Sequence, residues 1–300
     1  MDEEGAQIMV RLTTPRATRR PGSAALRRRL SQAVLYVLVT GGALLCLFPF
    51  YWMVIVSTRS SADVFSFPPP LTPGGLFPQN VQSLLQSLPY GRNYLNSVLC
   101  ATSVTVLMLF FDSLAGFAFA KYEFPGRDAL FTFLLSTMMI PYTVTLIPWF
   151  IEMKWFGWIN SYAALIIPSA VDAFGIFWMR QYIAGAVPGE LIDAARIDGC
   201  GDFGIYHRVV VHIASPALGA LGILTFLGNW NNLVGPLIIM RDPASFTLTV
   251  ALRTLVGLRL TDYGALMAGT VLSVVPILLG YLAGARRFIA GITAGSLQGI

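Results

Sequence analysis

Long apolar runs separated by short polar segments dominate the hydrophobic pattern of this chain. Six of the runs are long enough to cross a bilayer core of about 30 Å, which takes roughly 20 helical residues. Lipid offers no hydrogen bonds to the backbone, so spans of this composition are expected to be helices. The pattern therefore predicts an all-α, polytopic membrane protein with six transmembrane helices, near residues 33–56, 94–118, 128–150, 162–183, 209–232 and 264–288.

The amino-acid composition supports a membrane protein and argues against a large water-soluble domain. Of the 300 residues, 55% are hydrophobic and 12% are charged, and the mean hydropathy is +0.67. A soluble domain carries about a quarter charged residues. The three cysteines, Cys46, Cys100 and Cys200, have no metal-ligand spacing and form no obvious disulfide pair. With only two histidines in the chain, no metal site is predicted.

The distribution of Lys and Arg predicts that both termini lie in the cytoplasm. With the N-terminus inside, the inside segments carry seven basic residues in the N-terminal tail and seven more later, whereas the outside segments carry six. This bias follows the positive-inside rule, and it explains the net charge of +5 without nucleic-acid binding. We therefore expect a cytoplasmic Arg-rich tail at 1–30, a transmembrane domain at 31–290 and a cytoplasmic C-terminal tail at 291–300.

Two outside segments are long. The first, about 57–92, carries the run Phe67-Pro68-Pro69-Pro70 and a Pro-Gly-Gly turn signal. We expect an extended, turn-rich loop there rather than a folded domain. The last outside segment, about 236–262, is long enough to present a surface to another protein.

The inside segment at about 186–208 contains a short polar stretch, Val187 to Gly199, that favours a helix. Pro188 suits the entry to a helix, because an amide donor at that position would be unpaired anyway. Glu190 and Asp193 place negative charge near the helix N-terminus, where the helix dipole favours it. Gly199 then permits a sharp exit from the helix.

One face of this short helix is predicted to carry small and apolar side chains. The residues that recur there at helical spacing are Leu191, Ala194, Ala195 and Asp198. A small, smooth face followed by a glycine turn suits a helix that docks into a groove of a partner. The alternative from composition alone is a solvated loop that happens to be helical, because short amphipathic helices are common.

Two carboxylates, Asp112 and Asp172, lie well inside predicted spans. A carboxylate in the bilayer core costs about 2.5–3.5 kcal/mol on translocon scales, so each should face the bundle interior or water. One interpretation is a polar lining of a solute path. The other is an interhelical hydrogen bond, which is favoured for Asp112 because Ser113 and Gly116 indicate close helix packing.

An amide-rich cluster is predicted toward the outer half of the fifth span. Amides and an indole suit sugar hydroxyls, through hydrogen bonds and stacking on a ring face. The alternative is a helix-capping cluster with an interfacial tryptophan. Together with Asp172, the candidates for a solute path are Asn229, Trp230, Asn231 and Asn232.

The polar stretch also resembles a known motif. The motif begins with Asp193-Ala194-Ala195 and ends, after three further residues, at Gly199. It is similar to the cytoplasmic coupling loop of inner-membrane permeases of ABC importers, in which Glu-Ala-Ala is followed by three residues and then Gly. The entry Pro188-Gly189-Glu190-Leu191 and the exit Ile197-Asp198-Gly199 strengthen the resemblance, with Asp193 where the family usually has Glu. Further matches to maltose-type, binding-protein-dependent permeases cover most of the chain, among them Tyr94-Leu95-Asn96-Ser97, Met139-Ile140-Pro141, Phe226-Leu227-Gly228-Asn229-Trp230 and Met267-Ala268-Gly269.

The resemblance implies a multi-pass subunit of the bacterial cytoplasmic (inner) membrane. Its implied partners are a second homologous permease, a cytoplasmic ATPase dimer and an extracytoplasmic solute-binding protein, with a sugar or sugar-like solute. The C-terminal tail from Thr293 to Gly299 would also reach toward the ATPase. The residues that the resemblance assigns to ATPase coupling are Pro188, Glu190, Asp193, Ala194, Ala195, Asp198 and Gly199.

The chain itself is expected to carry no cofactor and no catalytic site. It has no Gly-x-x-x-x-Gly-Lys-Ser/Thr phosphate loop, so ATP would be bound by partner subunits. A stand-alone secondary transporter of a small polar solute is the alternative, although no inverted repeat is evident. A membrane-embedded enzyme is disfavoured, because the spans contain no paired His/Asp/Glu constellation and no nucleophile elbow.

Overall fold

A computed structural model describes residues 21–257 and 261–278 of the chain. The first 20 residues of the predicted N-terminal tail, and the whole predicted C-terminal tail at 291–300, lie outside the described residues. The chain divides into two compact units, and the boundary falls within the first helix, between Trp52 and Met53.

The first helix, α1, runs from Pro21 to Ser57 and contains Pro49. The helix begins earlier than residue 33, where the first span was predicted to start. Proline is well suited to a first helical turn, and residues 23–32 contain no proline or glycine that would end the helix before the apolar run. Residues 21–30, expected as tail, are therefore helical. The apolar part, Leu30–Ser57, has the length and composition of a membrane span.

The second unit is built from shorter and broken helices. In chain order these are α2 (Phe77–Ser87), α3 (Tyr90–Lys121), α4 (Arg127–Thr137), α5 (Tyr142–Trp155), α6 (Ala163–Ile166), α7 (Ala173–Ala186), α8 (Gly189–Ile197), α9 (Asp202–Ile205), α10 (Val211–Ile213), α11 (Ser215–Trp230), α12 (Val234–Ile239), α13 (Leu248–Thr254) and α14 (Tyr263–Leu278). A π-helical turn, Tyr206–Val210, joins α9 to α10. No strand occurs within the described ranges.

The described residues contain three to five candidate membrane spans by length and composition. Three candidates have no sharp bend, namely Leu30–Ser57, Tyr90–Lys121 and Ala163–Ala186, and two further candidates are bent pairs. The helices α4 and α5 meet at 99°, and the stretches Asp202–Ile213 and Ser215–Ile239 meet at 80°. Of the predicted sixth span, only the part up to Leu278 is described. The all-helical fold is confirmed, and the number of six spans stays a prediction.

Three of the predicted spans are interrupted rather than continuous. Pro141 precedes α5; a proline has no amide hydrogen to donate within a helix, and it disfavours the helical conformation of the residue before it. Val171 and Asp172 are extended between a 3-10 turn at Pro168–Ala170 and α7. The predicted span at 209–232 is bent at Ala214, between α10 and α11, and a further break at residues 231–233 separates α11 from α12 at the end of that span. Non-helical backbone at membrane depth is tolerated where it is buried in protein or lines a water-filled cavity.

The segment 57–92 is not the extended loop that its proline and glycine content predicted. It contains α2, whose buried Asn80 and Leu84 pack inward. Asn80 donates hydrogen bonds from Nδ2 to the carbonyl oxygens of Ser57 and Arg59, both at 2.9 Å. The amphipathic pattern of α2 was masked in the sequence by the turn signals just before it, and its burial depends on contacts with distant residues.

Helix α3 is the centre of the second unit and packs against both α7 and α11. Glycines permit the close approach of α3 to α7. A Cβ at Gly116 would lie 2.7 Å from the Cβ of Met179. A Cβ at Gly175 would overlap Oδ2 of Asp112. The apolar core around α3 and α7 continues into α8 through Val187.

Candidate functional site

The predicted helix within the polar stretch is present as α8, Gly189–Ile197. Pro188 stands immediately before it in an extended conformation, with φ −62° and ψ 144°. The helix ends where Gly199 adopts φ +81°, which a side-chain-bearing residue rarely does. The Cys200 amide then donates to the Ala195 carbonyl at 2.9 Å. The predicted proline entry and glycine exit are therefore confirmed as local structure.

The two sides of α8 have different surroundings, and they divide the predicted face. Ile192 and Ala195 are buried, at 4% and 8% exposure. Leu191 and Ile197 are exposed, at 45% and 86%. The remaining predicted coupling residues on this segment are also exposed: Pro188, Glu190, Asp193, Ala194, Asp198 and Gly199.

Ala195 therefore does not share a face with Ala194 as helical spacing suggested. It packs inward with Ile192, since the helix rests on apolar side chains of its own chain, among them Val187, Ile205 and Val210. Helical periodicity shows which positions lie together but not which side meets the core. The surface that α8 leaves free is centred on Ile197, with acidic side chains beside it.

Polar contacts hold α8 and its entry against the end of α3. Lys121 Nζ donates to the Val187 carbonyl at 2.5 Å and to the Ala184 carbonyl at 3.3 Å, which satisfies carbonyls that the end of α7 leaves open. Tyr122 donates from its hydroxyl to Oδ1 of Asp202 at 2.7 Å. Burial, and after it the hydrogen bond to Asp202, raise the pKa of Tyr122.

Arg196 completes this cluster from α8. Its guanidinium lies 3.7 Å from Asp193 and 3.9 Å from Asp202, and it stacks over the Tyr122 ring at 5.5 Å. Each exposed ion pair contributes little by itself. Together, the contacts fix α8 to the α3–α4 loop. Sequence reasoning assigned no role to Lys121, Tyr122 or Asp202, because the partners are far apart in the chain.

The layer beneath α8 is tied to α3 by a buried hydroxyl pair. Tyr206, in the π-helical turn, is 3% exposed, and its hydroxyl lies 2.7 Å from Oγ of Ser113. The same hydroxyl lies 3.3 Å from the Phe110 carbonyl. The apolar cluster under α8 therefore continues into the interior of the helix bundle without a break.

The two intramembrane carboxylates both have structural roles at the α3–α7 contact. Asp112 is fully buried, and its Oδ1 accepts a hydrogen bond from the Asp172 amide at 3.1 Å. Asp172 caps α7, because its Oδ2 accepts from the amides of Phe174 and Gly175 at 3.1 and 3.3 Å. The interhelical hydrogen bond expected for Asp112 is thus present. The exposed side chain of Asp172 stands at the break in its span.

The amide cluster near the end of α11 separates into different environments. Trp230 is 4% exposed and packs edge-on against Tyr94 and stacked against Phe226, so its ring is not open to a solute. Asn229 and Asn231 donate to carbonyls of their own helix, each at 2.9 Å. Asn232 borders a cavity of about 250 Å³, together with Tyr142 and Trp149 of α5. Of the four, Asn232 has the position best suited to a solute contact.

Comparison with known proteins agrees with the resemblance. The model of the family "Binding-protein-dependent transport system inner membrane component" matches residues 112–289. The chain is 34% identical over 280 residues to the arabinooligosaccharides transport system permease protein AraQ of Halalkalibacterium halodurans, covering 91% of this chain and 100% of that protein. It is 34% identical over 266 residues to the lactose transport system permease protein LacG of Rhizobium radiobacter, covering 89% and 96%.

A more distant relative and a solved structure extend the comparison. The sn-glycerol-3-phosphate transport system permease protein UgpE of Yersinia pestis is 28% identical over 273 residues, covering 88% of this chain and 97% of that protein. A chain of a bacterial ABC transporter involved in the import of the acidic polysaccharide alginate has the same fold. Its TM-score is 0.77 at 24% identity, covering 87% of this chain and 97% of that chain.

These similarities decide between the interpretations that the sequence left open. The relatives are transport permease subunits, so the expectation of a transport subunit rather than an enzyme is confirmed. They support the ATP-driven importer and give no support to a stand-alone secondary transporter. The predicted location in the inner membrane is confirmed by the family description. The chain belongs to the family of inner membrane components of binding-protein-dependent transport systems.

Proposed function

We propose that this permease imports a neutral sugar and that the exposed side of α8 is the seat of a cytoplasmic ATPase subunit. The observation that carries the proposal is Ile197, an isoleucine that is 86% exposed on a short helix whose other side is firmly packed. A large apolar side chain on a well-held helix suits a hydrophobic groove of a partner. Ala194 beside it is small enough to let that partner approach closely.

The anchoring of α8 supports this role. Force on a coupling element is transmitted only if the element does not move independently of the spans. Here Lys121, Tyr122 and Arg196 connect α8 and its flanks to the end of α3, while Ile192 and Ala195 are embedded in the apolar cluster beneath. The seat that we assign to the ATPase consists of Pro188, Glu190, Leu191, Asp193, Ala194, Ile197, Asp198 and Gly199. Ala195 supports the seat from within.

We assign six spans to the chain, with both termini and α8 in the cytoplasm. The excess of Lys and Arg in the N-terminal tail and the segments on the same side supports this orientation. It also gives α8 access to a cytoplasmic ATPase. The transport complex would contain a second permease and an extracytoplasmic solute-binding protein, as the family description implies. ATP would be bound by the ATPase subunits, and this chain would carry no cofactor.

The solute that we propose is a neutral oligosaccharide. The two relatives at 34% identity are named for arabinooligosaccharides and lactose. The relative named for glycerol phosphate is less similar, at 28%. The structure supports a neutral solute independently, because no charged side chain lines the cavity that Asn232 borders.

The experiment is a pull-down of the tagged chain from membranes, followed by an ATPase assay on the recovered complex. We expect an ATPase and a second permease to be recovered. Ile197→Asp should weaken ATPase binding by about 10- to 100-fold, because burying an isoleucine contributes roughly 1.5–3 kcal/mol. Ile197→Leu is the matched control and should bind normally. Equal recovery of the ATPase with both variants would contradict the placement of the seat on α8.

A further inference from the structure

Three breaks between helices of this chain border one cavity of about 250 Å³. Tyr142 is the first residue of α5, directly after the break at Pro141. Ser169 belongs to the 3-10 turn between α6 and α7. Asn232 lies in the break between α11 and α12. Because irregular backbone at membrane depth requires protein or water around it, a cavity at three such breaks is expected to be aqueous.

The side chains at this cavity offer hydrogen bonds and an aromatic face but no charge. Its polar lining residues are Tyr142, Thr145, Trp149, Ser169 and Asn232. The hydroxyl of Tyr142 and the indole nitrogen of Trp149 have no hydrogen-bond partner among the described residues. Asn232 uses Oδ1 to accept from the Gly235 amide at 3.3 Å, which leaves its Nδ2 available as a donor. This set matches the hydroxyls and the apolar ring face of a neutral sugar.

Gly235 keeps the polar groups of the cavity open. A Cβ at that position would lie 3.4 Å from Nδ2 of Asn232 and 3.5 Å from the Tyr142 hydroxyl. These are ordinary van der Waals separations, so an alanine would fit there without strain. Its methyl group would lie against both hydrogen-bonding groups and would take up space that a bound solute needs. The glycine therefore matters for access to the cavity and not for the backbone conformation.

We propose that Tyr142, Trp149 and Asn232 form a subsite, contributed by this subunit itself, that binds one ring of a neutral saccharide during translocation. The inference rests on the proposed importer function. A volume of about 250 Å³ lies just below the roughly 300–1,000 Å³ that is usual for ligand pockets. The subsite therefore holds a single sugar ring while the rest of an oligosaccharide lies outside it. The absence of lining charges disfavours phosphorylated or acidic solutes, whose desolvation would be uncompensated.

The test uses the complete importer in proteoliposomes with ATP inside. The probes are three neutral sugars (lactose, arabinobiose and N,N′-diacetylchitobiose) and one anion (sn-glycerol 3-phosphate). We expect ATP-driven uptake of at least one neutral probe and no uptake of the anion. Preferred uptake of the anion would overturn the neutral subsite while leaving the importer function in place. Failure to take up any neutral probe would contradict the proposed solute class and the subsite with it.

Variants then locate the subsite. Gly235→Ala should raise the KM for the transported probe at least tenfold, and Tyr142→Phe should raise it about 3- to 10-fold, the loss of one hydrogen bond. ATPase recovery and the rate of ATP hydrolysis without solute are measured for each variant, so that a defect in assembly is distinguished from a defect in solute binding. The controls are Gly228→Ala, where a Cβ would meet nothing within 4 Å, and Tyr36→Phe on α1. If the two variants transport with the KM of their controls, the subsite is wrong and the importer function still stands.

Discussion

The close contact of α3 with α7 at Gly116 yields a quantitative prediction for Gly116→Ala. The added Cβ would lie 2.7 Å from the Met179 Cβ and 2.8 Å from the Arg180 amide nitrogen. Contacts under 3.0 Å require movement, and both neighbours are fixed parts of α7 and not flexible side-chain ends. The helices must therefore separate by several tenths of an ångström. Overpacking of this kind destabilises by about 1–3 kcal/mol.

A gain from helix propensity opposes part of this penalty. Alanine is favoured over glycine within a helix by about 1 kcal/mol. Subtracting this gain leaves a net destabilisation of about 0–2 kcal/mol for Gly116→Ala, and the value should lie toward the upper end because the atoms it meets are fixed parts of α7. Gly91→Ala on the same helix is the matched control, because a Cβ there would meet nothing within 4 Å. It should be neutral or stabilising.

The assay is thermal unfolding of both variants in the same detergent, at the same scan rate. Gly116→Ala should unfold several degrees below the wild type, and Gly91→Ala at or above it. An unchanged midpoint for Gly116→Ala would mean that α3 and α7 are less closely packed than the structure has them. A fall of equal size in Gly91→Ala would show that glycine content itself, and not the helix contact, determines the midpoint.

Three further predictions concern contacts around the same helices. Gly175→Ala should destabilise strongly alone but less in an Asp112→Ala background, because the two atoms nearest to its Cβ belong to the Asp112 carboxylate; a double-mutant cycle of unfolding midpoints measures the coupling. Lys121→Met should lower the amount of solute transported per ATP hydrolysed, because the Val187 carbonyl loses its charged hydrogen-bond donor. Lys121→Arg should retain part of this coupling. Burial alone would raise the pKa of Asp262. Hydrogen bonds from Ser61, Ser83 and the backbone amides of residues 264 and 265 instead hold this pKa below 3.8. The ionised Asp262 therefore stabilises the fold above pH 3.8, and this contribution is lost as the pH falls through the lowered pKa. Unfolding midpoints measured against pH should show this loss, and Asp262→Ala should lack that dependence.

The features that the sequence predicted best are those encoded within one short stretch. The apolar run of α3 needs no distant partner to be recognised, because its length alone matches a bilayer. The entry at Pro188 and the exit at Gly199 follow from the backbone preferences of proline and glycine. The resemblance to the coupling loop depended on the same local residues.

The features that were missed depend on contacts between distant residues. The hydrogen bond of Tyr122 to Asp202 joins residues 80 positions apart, and that of Asn80 to Ser57 joins residues 23 apart. Neither can be read from spacing within a helix. The same applies to Ala195, whose inward direction is set by the cluster under α8. Trp230 was a solute candidate because of its chemistry, and its burial by Tyr94 excludes it.

The contacts of α7 connect the seat on α8 with the interrupted span near the cavity. The helix has 14 residues, or about 21 Å at 1.5 Å per residue. It is joined to α3 at both ends, through the bond of the Asp172 amide to Asp112 and through the bonds of Lys121 to the carbonyls at its C-terminus. We expect two closely packed helices that are joined at both ends to move as one body.

We therefore expect a displacement of α8 by the ATPase to reach the break before Asp172 as a rigid movement of α3 and α7 together. Spin labels at Val106 of α3 and Phe174 of α7, both exposed, measure their separation with and without ATP. An unchanged separation within the pair, combined with a changed distance from either label to the second permease, is the expected result. A separation that changes with ATP would mean that α7 slides along α3, and that the bonds at its two ends break in each transport cycle.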